Sequence, residues 1–256
     1  MTSINCETID PKLVKNVVKH YNVLDYTHNL RGLLDKVIPK VELEGYCRLE
    51  VHRKINELIF GSYEGEQVLK YRLFKAFAKA DLVAAFEIKV KNSRVDFLTV
   101  NGYTTSYEIK SSLDTLGKLA KQSLDYKTAF ELNNIVVHEK HLKKSTALIP
   151  DCFGIISITK AGHEIIRKPV LNRSLDPEIQ LSLLTKKELA EFFGTPNVGA
   201  ILSRADHISI NEQFKLALKK RYRTKWEFIV ANCGDIVPID IQFFFNKNIN
   251  PKHVYG

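Results

Sequence analysis

The sequence lacks a long apolar run and any closely spaced pair of cysteines, and each absence excludes a class of protein. No stretch approaches the roughly 18 apolar residues of a membrane-spanning helix, and the first residues lack the basic and apolar regions of a secretory leader. No C-x-x-C pair is present, so neither a zinc ribbon nor a disulfide scaffold is predicted. We therefore expect a folded, cytoplasmic protein with reduced cysteines that serve as packing residues: Cys6, Cys47, Cys152 and Cys233.

Acidic residues are outnumbered by basic ones. The chain has 38 Lys and Arg residues against 29 Asp and Glu residues, a formal net charge of +9. Such a charge favours a polyanionic partner, because lysine and arginine release counterions when they neutralise phosphates. Charge alone decides little, since many basic proteins bind no nucleic acid. The 256 residues, 45% of them hydrophobic, suffice for one large domain or two small ones.

Hydrophobic periodicity divides the chain into three segments. Residues 1–60 are predicted to be a helical N-terminal extension, and residues 169–256 a helical C-terminal region that contains a helix over 181–193 and a long helix over 212–231. Residues 61–168 follow the order helix, three strands, helix, strand, helix, strand. Strands separated by helices tend to lie parallel, so the predicted fold class is α/β, with a mixed sheet flanked by helices. Within this segment Asp114 is expected to cap a helix that begins at Thr115.

The most informative stretch is a predicted hairpin that carries two acids and a lysine. Asp96 lies on its first strand, while Glu108 and Lys110 lie two residues apart on the second and so share a face. The Asn101-Gly102 pair between them is a strong hairpin signal. A strict two-residue loop would turn Asp96 and Glu108 to opposite faces. A shared site needs a three-residue loop, from Val100 to Gly102, or a bulge, and we predict one of these.

Two carboxylates that converge from adjacent strands form a hard oxygen site suited to Mg²⁺ or Mn²⁺. A metal there would lower the pKa of a bound water, and Lys110 could hold that water or stabilise charge on phosphorus. The alternative is that Glu108 and Lys110 only solvate an exposed sheet face. The chain has a second E-x-K triplet, Glu87-Ile88-Lys89. Such a triplet alone is therefore weak evidence for a catalytic site. Glu87 can face the same cleft or the other side, because its register is unknown.

The spacing of Asp96, eleven residues and Glu108-x-Lys110, between two predicted helices, resembles the PD-(D/E)XK nuclease superfamily. That resemblance implies a restriction-endonuclease-like core of order αβββαβ. The first element here is Arg94-Val95-Asp96, where Pro-Asp is usual. Over about residues 85–160 the chain also resembles a family of uncharacterised bacterial and phage proteins placed in that superfamily, through Arg94-Val95-Asp96, Val100-Asn101-Gly102, Tyr107-Glu108-Ile109-Lys110-Ser111, Asp114-Thr115-Leu116, Leu119, Gln122 and Tyr126.

The resemblance implies a role for each matching residue. Asp96, Glu108 and the Ile109 carbonyl would be metal ligands, and Lys110 would be the catalytic lysine. Gln122, on the helix after the E-x-K strand, would point into the site, although an ordinary exposed helix glutamine is the alternative. A further metal ligand is expected on the first core helix, where Glu66 is the first candidate and Glu64 the second. The helix dipole already favours an acid at Glu66 without any function.

A basic segment in the C-terminal helix is a candidate nucleic-acid contact. It has no acid among residues 213–226 and includes Lys219, Arg221, Arg223 and Lys225. Contact with phosphates and a merely solvated helix face are both open readings.

These observations predict a Mg²⁺-dependent nuclease that hydrolyses phosphodiester bonds in nucleic acid, with DNA favoured over RNA. One alternative is a noncatalytic nucleic-acid-binding or interaction protein on the same scaffold. Another is a partner-dependent subunit of a repair or phage-defence complex. A homodimer or another protein partner is left open, and no membrane partner is expected.

Overall fold

The structure, a computed structural model, describes residues 9–38, 40–62, 65–78, 81–159 and 162–256. The expectations for Cys6 and Glu64 fall outside these ranges. The helices in chain order are α1 (Pro11–His20), α2 (Thr27–Leu34), α3 (Lys40–Glu44), α4 (Arg48–Ser62), α5 (Glu66–Phe77), α6 (Leu119–Ala129), α7 (Leu142–Leu148), α8 (Pro177–Ser182), α9 (Lys186–Phe193), α10 (Val198–Leu202), α11 (His207–Ala231), α12 (Ile241–Lys247) and α13 (Pro251–Tyr255). The strands are β1 (Val83–Val90), β2 (Ser93–Asn101), β3 (Tyr103–Lys110), β4 (Leu132–His138), β5 (Gly154–Thr159) and β6 (Gly162–Arg167).

The chain divides into two compact units. The first consists of Met1–Lys75 and Glu227–Gly256, and the second of Ala76–Trp226. These boundaries differ from those of the three segments 1–60, 61–168 and 169–256. Among the described residues, no helix combines the length and the apolar character that a membrane span requires.

The first unit is helical, as predicted for residues 1–60, and its interior holds a polar cluster. The buried Asp240 carboxylate accepts hydrogen bonds from the hydroxyls of Tyr21, at 2.9 Å, and Tyr255, at 2.6 Å. Tyr21 also lies 2.6 Å from Nδ1 of the fully buried His52. Burial raises the pKa of Asp240 to about 7 and lowers the pKa of His52 to about 4. The cluster is therefore sensitive to pH between these two values.

The second unit is built on a mixed six-stranded sheet of the described residues, in the order β1-β2-β3-β4-β5-β6. β1, β2 and β3 form an antiparallel meander, β3, β4 and β5 are parallel, and β6 returns antiparallel. The parallel steps occur where α6 and α7 separate the strands, as the sequence predicts. Tyr126 of α6 contacts one sheet face at Glu108, and Trp226 of α11 contacts the other at Phe97. The α/β class with helices against a mixed sheet is confirmed.

Three local predictions are wrong for identifiable reasons. Asp114 does not cap a helix: its Oδ2 accepts hydrogen bonds from the N–H and the hydroxyl of Ser111, both at 2.6 Å, and α6 begins only at Leu119. The predicted helix over 181–193 is interrupted, because Thr185 and Glu188 form a capping box that starts α9. Of the cysteines expected to pack inside, Cys47 and Cys233 are exposed. The long helix predicted over 212–231 is confirmed as part of α11.

Candidate metal centre

The register of the β2–β3 hairpin brings Asp96 and Glu108 together. Asn101 pairs with Tyr103, so Gly102 alone separates the paired residues, and its φ of 71° is the left-handed conformation that glycine adopts without strain. The predicted odd loop is confirmed, although it lies one residue farther along the chain than the predicted loop. Extending the pairing of Phe97 with Tyr107 by one residue puts Asp96 opposite Glu108.

Asp96 is held between the two strands. Its Oδ2 accepts a hydrogen bond of 2.6 Å from the backbone N–H of Ile109, the residue between Glu108 and Lys110. The carboxylate replaces a backbone carbonyl as the acceptor for that N–H, so its position is fixed by the main chain of β3. Ile109 pairs with Val136 of β4. A metal-binding role for the Ile109 carbonyl stays a prediction.

Glu108 is a buried carboxylate, 1% exposed, that three side chains contact. Lys110 Nζ lies 2.5 Å and Gln122 Nε2 2.6 Å from its Oε1, while the Tyr126 hydroxyl lies 2.7 Å from its Oε2. Burial raises the pKa of Glu108, and the positive charge of Lys110 together with the three hydrogen bonds opposes that rise. The centre is thus a desolvated acid stabilised by a cation and two neutral donors.

Gln122 joins the acid to the lysine. Its amide nitrogen donates to Glu108, and its amide oxygen accepts a 3.1 Å hydrogen bond from Lys110 Nζ. Both ends of the amide are therefore used, and the structure brings Gln122 into the centre as the resemblance implies. The reading of Gln122 as an ordinary exposed helix residue does not fit these contacts.

Tyr126 is a member of the centre to which the sequence assigned no role. It lies one turn after Gln122 on α6, and its hydroxyl lies 2.7 Å from both Glu108 Oε2 and the Arg94 carbonyl oxygen. Burial, reinforced by the charge of Glu108, raises the pKa of Tyr126 far above its ordinary value, so it remains a neutral donor. The signal available in the sequence was its helical spacing from Gln122.

Glu87 is the second acid that the structure brings to Asp96. The pairs Phe86–Phe97 and Ile88–Val95 put it opposite Asp96, and the two carboxylates have oxygens within 4.8 Å of each other. Its φ of 60° is the left-handed conformation, which is strained for glutamate in the middle of a strand. Glu87 also forms an ion pair with Arg94. Of the two directions that the sequence left open, Glu87 therefore takes the one that faces Asp96.

Glu66 lies in the first unit, in the first turn of α5. Its carboxylate forms an ion pair with Lys70 one turn later, and Lys70 Nζ also donates a 2.9 Å hydrogen bond to Gln242. This is the arrangement expected of an acid near a helix N-terminus. A metal-binding role for Glu66 stays a prediction.

The basic segment of α11 is partly occupied by ion pairs. Arg221 donates from Nε to Glu188 Oε1 at 2.6 Å and from its terminal nitrogen to Oε2 at 2.5 Å, and Lys220 pairs with Glu191. Burial alone would raise the pKa of Glu188, but the hydrogen bonds from Arg221 and Thr185 lower it to about 2. Arg221 therefore fastens α11 to α9. Lys219 and Lys225 are half-buried, and Arg223 is exposed.

Comparison with known proteins links the chain to a phage family. Residues 66–244 match the family described as "Bacteriophage P4 protein cII", a range that contains Asp96, Glu108, Lys110 and Gln122. No curated protein matches the chain. Among solved structures, a protein of unknown function from Silicibacter pomeroyi is 20% identical, covers 47% of this chain and 80% of its own, and has a TM-score of 0.34, too low to support any argument. Because the family match spans more than two thirds of the sequence, this chain belongs to the bacteriophage P4 protein cII family.

Proposed function

We propose that this protein is a Mg²⁺- or Mn²⁺-dependent nuclease that hydrolyses phosphodiester bonds in nucleic acid, with DNA favoured over RNA. The observation that carries the proposal is the register of β2 and β3, which puts Asp96 opposite Glu108 at the end of the ladder, with Lys110 on the Glu108 carboxylate. This arrangement is the one that the resemblance to PD-(D/E)XK nucleases leads us to expect.

The donor set fits a hard divalent cation. The carboxylates of Asp96 and Glu108 would supply oxygen ligands, and Glu87 would add a third acid, with an oxygen within 4.8 Å of one on Asp96. A carboxylate offers about four lone-pair positions, and the donors on Glu108 occupy three of them. Such an ion, when bound, would offset charge on the phosphate and lower the pKa of a coordinated water.

Lys110 is suited to act on the substrate. An ammonium group has three N–H donors, of which two point to Glu108 and Gln122. The third can donate to a phosphate oxygen or to the attacking water, and the positive charge stabilises the negative charge that develops on the phosphate. Gln122 and Tyr126 keep the Glu108 carboxylate in place, because each donates a hydrogen bond to it.

A noncatalytic nucleic-acid-binding or interaction protein is the alternative candidate, and one observation favours it. The Glu108–Lys110 pair is buried and satisfied by its neighbours, as a purely structural ion pair would be. The complete Asp96, Glu108 and Lys110 set favours the nuclease, because a structural pair does not require Asp96 opposite Glu108. A partner-dependent subunit would show activity only in its complex.

The test is cleavage by the pure full-length protein. Plasmid, single-stranded DNA and RNA are incubated with Mg²⁺, Mn²⁺ or EDTA, beside Glu108→Ala and Lys110→Ala. We expect cleavage only with metal, and a loss of about 100-fold or more in each variant, the size typical of a lost electrostatic group. Lys144→Ala, which removes an exposed lysine of α7, is the control and should cleave like the wild type. Equal cleavage by all four proteins, or none with any metal, contradicts the proposal.

A further inference from the structure

We propose that exposed cations at the β1–β2 hairpin and at the start of α6 form the surface that holds nucleic-acid phosphates beside the candidate metal centre. We call this surface the hairpin–helix rim, and it consists of Lys89, Lys91, Arg94, Lys118 and Lys121. The inference rests on the proposed function for the identity of the centre, and it names the part of the protein that would bind the substrate.

The hairpin half of the rim has a charge arrangement that folding does not explain. Lys89 is the direct cross-strand partner of Arg94, and both are exposed. Like charges directly opposite each other destabilise a sheet. Lys91, exposed at the hairpin tip, adds a third cation with a left-handed φ of 52°. A phosphate between these side chains would remove the repulsion.

Arg94 links the hairpin to the candidate centre. Its guanidinium forms an ion pair with Glu87, which lies beside Asp96, and its carbonyl oxygen lies 2.7 Å from the Tyr126 hydroxyl. The Arg94 side chain is 67% exposed, so its guanidinium can contact a phosphate without leaving the neighbourhood of Glu87. Arg94 therefore lies directly beside the acids, and Lys89 is its cross-strand partner.

The helix half of the rim lies in the first turn of α6, the helix that carries Gln122. Lys118 is the N-cap residue of α6, one turn before Gln122, and no side chain caps the first turn of this helix. Its uncapped backbone N–H groups and positive dipole end add to the attraction for an anion. Lys121, 60% exposed, pairs with Asp125, and Asp125 also accepts a 2.5 Å hydrogen bond from Ser93, which lies next to the turn of the hairpin. The two halves of the rim are thus joined through Asp125.

The rim has positive charge that the protein leaves unneutralised. Within the ranges that the structure describes, no acidic side chain forms an ion pair with Lys89, Lys91 or Lys118. On α11, by contrast, Arg221 and Lys220 are neutralised by acids of α9. Lys89, Lys91 and Lys118 are therefore available to phosphates, and neutralising each phosphate would release a counterion.

Binding of fluorescent duplex DNA in EDTA, followed by anisotropy over a range of salt concentrations, tests the rim without cleavage. The double variant Lys89→Gln with Lys118→Gln should bind at least tenfold more weakly near 0.1 M salt. Its slope of log affinity against log salt should fall by roughly 1.8, about 0.9 for each lost phosphate contact. The matched control, Lys15→Gln with Lys19→Gln, loses the same charge from exposed positions of α1 and should bind like the wild type. Wild-type binding by the rim variant, or an equal loss in the control, overturns the inference.

Cleavage with Mg²⁺ separates the two proposals. Lys110→Ala should fail to cleave DNA. If the wild type cleaves DNA while the rim variant keeps full affinity and slope, the rim is refuted and the nuclease stands. If the wild type cleaves nothing with any metal but the rim variant loses affinity, the nuclease is refuted and the rim remains a nucleic-acid surface.

Discussion

At the residue scale, Gln122 is the side chain whose role depends most on geometry. It touches Glu108 and Lys110 at once, so it is a positioning residue that acts through both. Removing its amide leaves Lys110 with its contact to Glu108 but without its hydrogen bond to Gln122, and leaves Glu108 with one donor fewer. The metal and the substrate would still bind to other groups.

We expect Gln122→Ala to lower kcat about tenfold, the size of one net hydrogen bond to a charged group, and to leave KM unchanged. Leu124→Ala is the control, because Leu124 is 59% exposed on the same helix. Steady-state kinetics on a plasmid substrate measure both constants. A rise in KM with unchanged kcat would show that Gln122 binds substrate instead, and wild-type kinetics would show that it has no role.

The opposite pKa shifts of the buried residues Asp240 and His52 predict how the stability of the protein depends on pH. The pKa of Asp240 in the folded protein, about 7, lies above its ordinary value. Its contribution to the free energy of unfolding is therefore fully present below about pH 4 and is lost as the pH rises to 7. The pKa of His52, about 4, lies below its ordinary value, so its contribution is full above about pH 6.5 and is lost as the pH falls to 4. In the wild type the two trends oppose each other.

In Asp240→Asn the titration of Asp240 is removed, so the pH dependence of the free energy of unfolding should follow His52 alone. We expect the free energy of unfolding of this variant to fall as the pH is lowered from 7 to 4, by up to about 3 kcal/mol, relative to a flatter wild-type curve. Urea denaturation at several pH values measures it, with the exposed Asp235→Asn as the control. If the curve for Asp240→Asn runs parallel to that of the wild type, the opposing titrations do not occur.

Some site residues could be predicted from the sequence and others could not. Asp96, Glu108 and Lys110 carry their signal in spacing, which relates strand faces, whereas Gln122 was assigned only through the resemblance to PD-(D/E)XK nucleases. Glu87 could not be assigned, because a strained residue in mid-strand has no signature in the chain. The hydroxyl of Tyr126 reaches Glu108 through the packing of α6 on the sheet, which spacing alone does not specify.

At the element scale, Gly102 sets the register that the centre requires. Its φ of 71° costs alanine about 1 kcal/mol or more, while a Cβ added there would meet no atom within 4 Å. We expect Gly102→Ala to lower the free energy of unfolding by about 1 kcal/mol. Gly117→Ala also meets no atom within 4 Å and has no positive φ, so it should not destabilise the protein. Chemical denaturation measures the free energy of unfolding of Gly102→Ala and Gly117→Ala. If the two variants are equally stable, a side chain at residue 102 does not strain the turn.

The hairpin also shows what sequence reasoning can and cannot supply. The need for Asp96 and Glu108 to share a face predicted the parity of the loop, because strand side chains alternate strictly. It did not predict which residue lies at the turn, since Val100 and Tyr103 are both compatible with strand pairing. Asp114 failed as a helix cap because its carboxylate bonds to Ser111 three residues earlier, a local choice that composition does not reveal.

At the scale of the whole molecule, net charge predicted a polyanionic partner but not the surface that would bind it. The sequence offered α11 as one candidate, because basic residues cluster there without nearby acids in the chain. The fold brings Glu188 and Glu191 to that helix, while Lys89, Lys91 and Lys118 of the hairpin–helix rim have no ion pair among the described residues. Pairing between distant segments decides which charges remain available, so it could not be read from a linear pattern.

The most direct measurement of the central claim is the single-turnover rate of DNA cleavage with Mg²⁺ by Asp96→Asn. Asparagine keeps the size of Asp96 and can still accept the hydrogen bond from Ile109, but it removes the charge that a metal requires. We predict a rate at least about 100-fold below the wild type, with unchanged DNA binding in EDTA, and a wild-type rate for the exposed Asp81→Asn. Wild-type cleavage by Asp96→Asn, or the absence of metal-dependent cleavage in the wild type, would contradict the account.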